Sequence, residues 1–352
     1  MKTGLRRSAS FNPDDREDFE NEDTVMQIVR RQFLSLAGAA IATAAIPRVA
    51  AAQTYPARPV RLIVPFAPGS ATDVIARLIA QKLSEHLGKQ FYVENIAGAG
   101  GNIGMGRAAQ AAPDGYTALI AILNYAVNPA LYDKVPYDPY RSFDPVTLAV
   151  STTIVLAVNP SVPVHTVKEL VALIKSSPGQ YNYASGGGVG SPAHLVGEQF
   201  RLSLGLDLPH VPFNGANLAA GSAVAGHTPI AFVAPTPAIP LVAEGRLRAL
   251  AVMSKTRLQA LPDVPTMAEA GYPGIECDSW FGVFVPAGTP KEITTLLNRE
   301  IVRILALPDI REHQATLGVD CVGSTPEEFA AAIKVAVEKW GKVIRLANAR
   351  AQ

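Results

Sequence analysis

Short apolar runs alternate along most of the chain with segments of helical period. The run from Val60 to Phe66 is apolar enough for a buried strand, and after it Ile75, Ile79 and Leu83 recur on one helical face. Consecutive parallel strands need a helical crossover, so this alternation predicts an α/β fold with mostly parallel sheets flanked by helices. The same pattern predicts further strands at 90–94, 117–123, 153–158, 181–184, 210–213, 230–233 and 248–252.

Helix starts are marked by a hydroxyl residue with an acidic residue three positions later, which is the pattern of a capping box. It occurs four times, at Ser70 with Asp73, Thr166 with Glu169, Thr289 with Glu292 and Thr325 with Glu328. Pro290 and Pro326 are predicted at the first helical position, where a missing N–H costs little. The last predicted helix carries an apolar stripe that must dock on a lobe, formed by Phe329, Ile333, Val337, Trp340 and Ile344.

The 352 residues exceed one core of ordinary size, so two lobes are predicted. Two crossover strands near residues 153 and 278 are expected to join them, with the C-terminal part returning to the first lobe. Lobe I is then predicted to comprise residues 53–153 and 278–352, and lobe II residues 154–277.

The first 52 residues are predicted to be an export signal. The segment from Phe33 to Ile46 is uncharged and shorter than the ~20 residues of a membrane span, and small residues at 50–52 offer a cleavage site. Arg30 and Arg31 before it resemble a twin-arginine signal, although the ordinary Sec route stays open, and Met26 is an alternative start. The mature chain, with no later run of 18 apolar residues, is expected in the periplasm and not to span a membrane.

Composition excludes several classes of protein. Lys plus Arg total 31 and Asp plus Glu total 30, so the net charge of +1 gives no basis for a nucleic-acid partner or an anionic membrane surface. Cys277 and Cys321 are too few for a zinc site of the Cys-x-x-Cys kind, and they leave one disulfide or two buried thiols as alternatives. None of the six histidines stands in a metal-ligand spacing, so neither a metal nor a cofactor is predicted.

Two glycine-rich turns stand between a predicted strand and a helix, at residues 65–73 and 185–192. Each turn ends at a helix N-terminus, where unpaired backbone N–H groups and the helix dipole can hold an anion without Lys or Arg. Such turns lie at the carboxyl ends of parallel strands, so one turn from each lobe could hold a carboxylate across a cleft. The alternative is that both turns are only well-capped helix starts.

Other candidates support chemistry less well. The run Gly98–Gly104 fails the dinucleotide spacing and lacks an acidic residue after the next strand, which favours a flexible turn that approaches the neighbouring lobe. His194 can donate to a ligand or be a partly buried helix residue, and Trp280 can wall the pocket or belong to the core. No Gly-x-Ser-x-Gly elbow supports Ser185 or Ser191 as a nucleophile.

Several longer motifs occur together and in order. They are PARPVRLIVPFAPGSATDVIAR, YDPYRSFDPVTL, NYASGGGVGSPAHLVGEQF, HVPFNG, GRLRALAVMSKTRLQALPDVPTMAEAGYPG, WFGVFVPAGTPKEI and GSTPEEF. This set resembles the tripartite tricarboxylate transporter receptor family, the TctC-like or Bug solute-binding proteins, over residues 55 to 346.

The resemblance implies a monomeric periplasmic binding protein of two α/β lobes that captures a small organic carboxylate without catalysis. It also implies presentation of this ligand to the membrane permease subunits of a tripartite tricarboxylate transporter. Carried over by position, the ligand-binding residues are Phe66, Ala67, Gly69, Ser70, Asp73, Asn124, Ser185, Gly186, Gly190, Ser191 and His194, with Phe213, Asn214, Pro235, Thr236 and Trp280 as a less certain wall.

Two departures from the family pattern bear on the ligand. The first loop has Ser70 where glycine is usual, and HVPFNG has Phe213 and Asn214 where the family commonly has tyrosine and lysine. Both changes in HVPFNG make the pocket less polar and weaken the expectation of a highly charged ligand such as citrate. Two other functions stay open: a receptor that delivers its solute to a signalling partner, and an exported α/β hydrolase or dehydrogenase, for which no catalytic set is present.

Overall fold

The computed structural model describes residues 55–277 and 279–350, and the predicted export signal lies outside these residues. The strands within them are β1 (Val60–Val64), β2 (Phe91–Asn95), β3 (Thr117–Ile122), β4 (Phe143–Thr152), β5 (Val155–Val158), β6 (Tyr183–Gly186), β7 (His210–Phe213), β8 (Ile230–Val233), β9 (Arg248–Val252), β10 (Ser279–Pro286) and β11 (Val319–Cys321).

The α-helices in the described part are α1 (Ala71–Leu87), α2 (Asn102–Ala109), α3 (Asn124–Leu131), α4 (Val167–Ser176), α5 (Pro192–Leu204), α6 (Ala216–Val224), α7 (Pro235–Ala243), α8 (Lys291–Leu305), α9 (Pro308–Thr316) and α10 (Pro326–Ala347). A 3₁₀ turn, Ala99–Gly101, precedes α2. Over this part of the chain, every helix is too short or too polar to cross a membrane.

Two mixed sheets form the centre of the fold. The six-stranded sheet has the order β11-β4-β10-β3-β1-β2, and the five-stranded sheet has the order β7-β6-β8-β5-β9. Strands β1, β2 and β3 run parallel, as do β6, β7 and β8, whereas β10 is antiparallel to β3 and β5 is antiparallel to β8. The predicted α/β class is therefore confirmed. We call the part with the six-stranded sheet lobe I and the part with the five-stranded sheet lobe II.

The antiparallel strands follow from the way the chain passes between the sheets. Strand β4 ends at Thr152 and β5 begins at Val155, which lies opposite Val233 and Val252, the last residues of β8 and β9. Ser279, the first residue of β10, pairs with Thr152 in the same way. Both connections thus leave and enter at the edge of each sheet where the parallel strands end, which we call the crossover edge. The predicted lobe limits agree with these passages in position and stay a prediction.

Helix α10 packs against elements of both lobes, including α3 and β4 of lobe I and α5 of lobe II. The predicted stripe is buried at Phe329, Ile333, Trp340 and Ile344. These side chains belong to one hydrophobic cluster that contains Phe284 of lobe I and, in lobe II, the residues Tyr183 and Phe200. The hydrophobic effect therefore stabilises the two lobes as one continuous core on this side of the molecule.

Two of the predicted capping boxes are complete, Thr166 with Glu169 and Thr325 with Glu328. The prediction at Thr289 is wrong. Its hydroxyl donates to the carbonyl of Pro286 at 2.7 Å, so it is not available to cap, and α8 begins at Lys291 with Pro290 as the N-cap. The Thr289 hydroxyl therefore bonds to a carbonyl at the end of β10 and not, as the capping pattern predicted, to the backbone of α8.

Gly282 in β10 allows α10 to approach the sheet. A methyl group there would lie 1.9 Å from Cζ of Phe329, which is fully buried. We expect Gly282→Ala to lower the free energy of unfolding by about 1–3 kcal/mol through overpacking, measured by urea denaturation. Gly221→Ala in α6 is the matched control, because nothing lies within 4 Å of its added methyl group and alanine favours a helix. An equal effect of both substitutions would contradict the packing argument.

Candidate functional site

The first glycine-rich turn connects β1 to α1 at the crossover edge of lobe I. Ser70 is the N-cap of α1, and its hydroxyl accepts the backbone N–H of Asp73 at 3.3 Å. Gly69 precedes it with φ +79°, a left-handed conformation that favours glycine. The predicted capping box is half formed, because the Asp73 carboxylate bonds elsewhere.

The Asp73 carboxylate holds this turn in place. Its Oδ2 accepts the N–H of Gly69 and the Nε–H of Arg77, both at 2.9 Å, and its Oδ1 accepts Nδ2–H of Asn95 at 2.9 Å. Asn95 also donates to the carbonyl of Phe66 at 3.1 Å, so the turn is tied to the end of β2. The hydrogen bond from Arg77 is the main reason why the pKa of Asp73 falls to about 2. Asp73 is thus a buried, charge-compensated support of the turn.

The third glycine-rich run packs beneath the first turn. A methyl group at Gly104 would lie 2.8 Å from Cα of Pro65, and one at Gly101 would lie 3.5 Å from the ring of Phe66. The side chain of Asn128 in α3 fixes the run from the other side, because it donates to the carbonyl of Gly100 at 3.0 Å. These contacts are all within lobe I, whereas a close approach to the neighbouring lobe was expected from the sequence.

Helix α3 links the first lobe to the second glycine-rich turn. Asn124, a predicted ligand residue, is its first residue at the end of β3, with 9% of its surface exposed. Leu131 at the other end of α3 contacts Gly190 so closely that a methyl group on Gly190 would lie 2.3 Å from Cδ2 of Leu131. Between them, Oδ1 of Asn128 is buried and has no hydrogen-bond partner among the described residues.

The second glycine-rich turn connects β6 to α5 at the crossover edge of lobe II. The N–H groups of Gly187 and Gly188 donate to the carbonyl of Phe213 at 2.9 and 3.0 Å, which ties the turn to the end of β7. Ser191 is the N-cap of α5, and its hydroxyl accepts the N–H of His194 at 3.3 Å. Gly186 lies against the backbone of Ala216, where a methyl group would come within 2.4 Å of its Cα.

Behind this turn lies a buried polar cluster. The hydroxyl of Ser185 is 2.7 Å from Nε2 of His210, whose ring centroid is 4.3 Å from that of His194. Tyr183 donates its hydroxyl to Oε1 of Glu198 at 2.8 Å. Burial lowers the pKa of His194, and burial together with the neighbouring His194 lowers the pKa of His210 to about 4. Both histidines are therefore neutral at pH 7.

Each turn contains backbone N–H groups without a hydrogen-bond partner in the part of the chain that the structure describes, and in each turn two of these groups lie within two residues of the N-cap serine. In lobe I these belong to Ala71 and Thr72, the first two residues of α1. In lobe II they belong to Val189 and to Ala193, which follows Pro192 at the start of α5. These four donors lie at the crossover edges. The sequence predicts unpaired amides at these helix starts but not which ones, because only the hydrogen bonds of the neighbouring glycines show which amides stay unpaired.

The predicted wall residues lie in different surroundings. Phe213 is half-buried, and Asn214 is exposed at the end of β7. Thr236 donates its hydroxyl to the carbonyl of Leu317 of lobe I at 3.1 Å, and the preceding Pro235 contacts Gly318, so both bridge the lobes. Ala67 is exposed in the first turn.

Trp280 is placed in the core by its aromatic contacts. Its ring centroid is 5.2 Å from that of Phe329 in an edge-on arrangement and 6.3 Å from that of Phe284, and only 4% of its surface is exposed. Its indole nitrogen is buried and lacks a hydrogen-bond partner within residues 55–277 and 279–350. The core alternative therefore describes the surroundings of Trp280 in this structure.

The two cysteines are not joined by a disulfide. The thiol of Cys277 lies 3.7 Å from the carbonyl of Pro192 at the start of α5, and Cys321 lies in β11 at the edge of the other sheet.

Comparison with known proteins identifies the family. Residues 75–349 match the model of the tripartite tricarboxylate transporter family receptor. The chain belongs to this family of solute-binding receptors. Protein BugT of Bordetella pertussis is 37% identical over 322 residues, which cover 91% of this chain and 98% of BugT.

Solved structures of related proteins share the fold of this receptor. One is the structure of a periplasmic transporter with 41% identity and a TM-score of 0.74, covering 84% of this chain and 99% of its own. Another is R. palustris Rpa4515 with adipate, at 34% identity and a TM-score of 0.73, covering 84% of this chain and 98% of its own.

The support given by Asp73 predicts a pH dependence of stability. Because its pKa in the fold, about 2, lies below the ordinary 3.8, its stabilisation is present above pH about 4 and is lost as the pH falls toward 2. We expect Asp73→Asn to cost about 1–3 kcal/mol of unfolding free energy at pH 7 and progressively less below pH 4, measured by urea denaturation. Asp263→Asn, at an exposed position, is the control and should cost little at any pH. A pH-independent difference for Asp73→Asn would contradict this account.

Proposed function

We propose that this receptor captures a small organic carboxylate between the crossover edges of its two lobes, in the periplasm and as a monomer, and presents it to the membrane permease of a tripartite tricarboxylate transporter. The observation that supports this proposal best is the set of four unpaired amides, two from each lobe, at the start of α1 and of α5. Hydrogen bonds from N–H groups to an ionised acceptor contribute about 1.5–3 kcal/mol each, so four of them suffice for a small anion.

The charges of the two turns fit this ligand class. Residues 65–72 and 185–193 contain no charged side chain, and Asp73 is compensated by Arg77. An anion would therefore meet neutral donors and the positive ends of two helix dipoles. The structure of Rpa4515 with adipate supports a carboxylate ligand for this chain, because the two proteins share their fold and 34% of their residues.

The residues of the two turns carry different roles in this proposal. The amides of Ala71, Thr72, Val189 and Ala193 would bind the carboxylate directly. The hydroxyls of Ser70 and Ser191 cap their helices, so their contribution to a ligand would come mainly through the helix starts that they fix. The remaining predicted ligand residues would contact the rest of the ligand or support these turns. They are Phe66, Ala67, Asn124, Ser185, Gly186, Phe213, Asn214, Pro235 and Thr236.

Binding is tested by calorimetry with monocarboxylates, dicarboxylates including adipate, acidic amino acids and aromatic acids. The variant Ala71→Pro removes one donor from the first turn. Proline suits the first helical position, and Ser70 already has the extended conformation, φ −68° and ψ 159°, that proline requires before it. We expect the affinity for the bound acid to fall about 10- to 100-fold, the equivalent of one charge-assisted hydrogen bond.

Lys291→Pro is the matched control, because Lys291 is the exposed first residue of α8, at the edge opposite to the crossover edge. It should leave the affinity unchanged. The proposal fails if folded protein, shown to be free of retained ligand, binds none of these acids, and the role of the first turn fails if both proline variants behave alike.

A further inference from the structure

The two glycine-rich turns are built on the same five positions. In each, a glycine with positive φ, 79° at Gly69 and 84° at Gly190, precedes the N-cap serine, and the third helical residue accepts the N–H of that glycine. In lobe I the acceptor is the carboxylate of Asp73, and in lobe II it is Nδ1 of His194, 3.0 Å from the nitrogen of Gly190. In both turns the acceptor therefore fixes the glycine that precedes the N-cap serine.

The bond from Gly190 fixes the chemical form of His194. A backbone N–H can only donate, so Nδ1 must be unprotonated and the ring must carry its proton on Nε2. The residue is 4% exposed, and its ring packs against that of His210, which in turn is held by the hydroxyl of Ser185 at 2.7 Å. This imidazole is therefore an acceptor toward the turn, whereas the sequence suggested a donor toward the ligand.

On the basis of the proposed function, we propose that His194 is a positioning residue for the ligand: its neutral Nδ1 holds Gly190 and thereby keeps the amides of Val189 and Ala193 unpaired and ordered for the carboxylate. Gly190 also contacts Leu131 of lobe I, so the same bond fixes the turn where the lobes meet. Losing the acceptor frees the Gly190 N–H and lets the turn rearrange.

A dependence on pH follows, because protonation of Nδ1 removes the acceptor. The groups near the ring are Glu198 and Arg201 on α5, Tyr183 on β6 and His210 on β7. Asp207 and Arg350 line the same cavity of about 420 Å³ as His194. Burial lowers the pKa of His194, Glu198 raises it and Arg201 lowers it further, with a net lowering. The neutral acceptor is therefore present at pH 7, and it is lost on acidification below the ordinary value of 6.5.

Two substitutions separate the acceptor from the bulk of the side chain. His194→Asn keeps an oxygen acceptor of the kind that Asp73 offers to Gly69, and it cannot be protonated near neutral pH. His194→Leu keeps the approximate size of the side chain and replaces it with an apolar group that has no acceptor. We expect His194→Leu to reduce the affinity for the bound carboxylate about tenfold or more, and His194→Asn to restore most of it. Acidification below pH 6.5 far enough to protonate the ring, followed in the histidine NMR spectrum, should weaken binding more in the natural protein than in His194→Asn.

Two measurements need no ligand. Nitrogen-15 NMR of the histidine rings should show His194 with a proton on Nε2, and hydrogen exchange at the Gly190 amide should be slow in the natural protein and in His194→Asn but fast in His194→Leu. A proton on Nδ1, or equal protection of Gly190 in both variants, would overturn the proposal. So would equal affinities of the two variants for an acid that binds the natural protein. If no acid binds, the proposed function fails, while the ring and exchange measurements still decide the role of His194 in the turn.

Discussion

An anion can be held without a cation only if backbone N–H groups are left unpaired at a place that is otherwise fully hydrogen-bonded. Buried or partly buried amides nearly always find a partner, so keeping a few of them free requires that every competing group nearby be occupied. In this receptor, Asp73 occupies the amide of Gly69, and the carbonyl of Phe213 occupies those of Gly187 and Gly188. The free donors are the amides that remain after these bonds have formed. The same bonds hold the two turns in position.

The topology explains why both turns lie at the passages between the lobes. Strands that enter a sheet from the other lobe begin where the parallel strands end, so the passages that follow Thr152 and Val252 leave at the same edges as the turns after β1 and β6. The helices that follow parallel strands also have their N-termini at the carboxyl ends of these strands. A two-lobed protein with this connectivity therefore brings two sets of helix starts to the passages between its lobes without any special contact between them.

The α/β class and the two glycine-rich turns could be predicted from the sequence because both depend on local patterns, namely apolar runs and a capping serine. Strand β4 was not predicted from its pattern, since Pro145 interrupts its alternation and its pairing with β10 is irregular at two places. Helix α3 was missed because it is short and contains Pro129. The role of Asp73 could not be predicted in full, because its partner Asn95 reaches it only when β2 lies beside β1, whereas its pairing with Arg77 is local, four residues along the same helix.

The choice of acceptor in each lobe is consistent with the proposed anionic ligand. A carboxylate acceptor close to a bound anion is tolerable in lobe I because Arg77 pairs with Asp73 at 2.9 Å. Two like charges ~5 Å apart at an effective dielectric constant of about 20 repel by ~3 kcal/mol, which would offset the gain from one or two hydrogen bonds. In lobe II the nearest cation, Arg201, is already paired with Glu198, so a carboxylate at position 194 would lack compensation. A neutral imidazole makes the same hydrogen bond to the turn without adding a second negative charge beside the ligand.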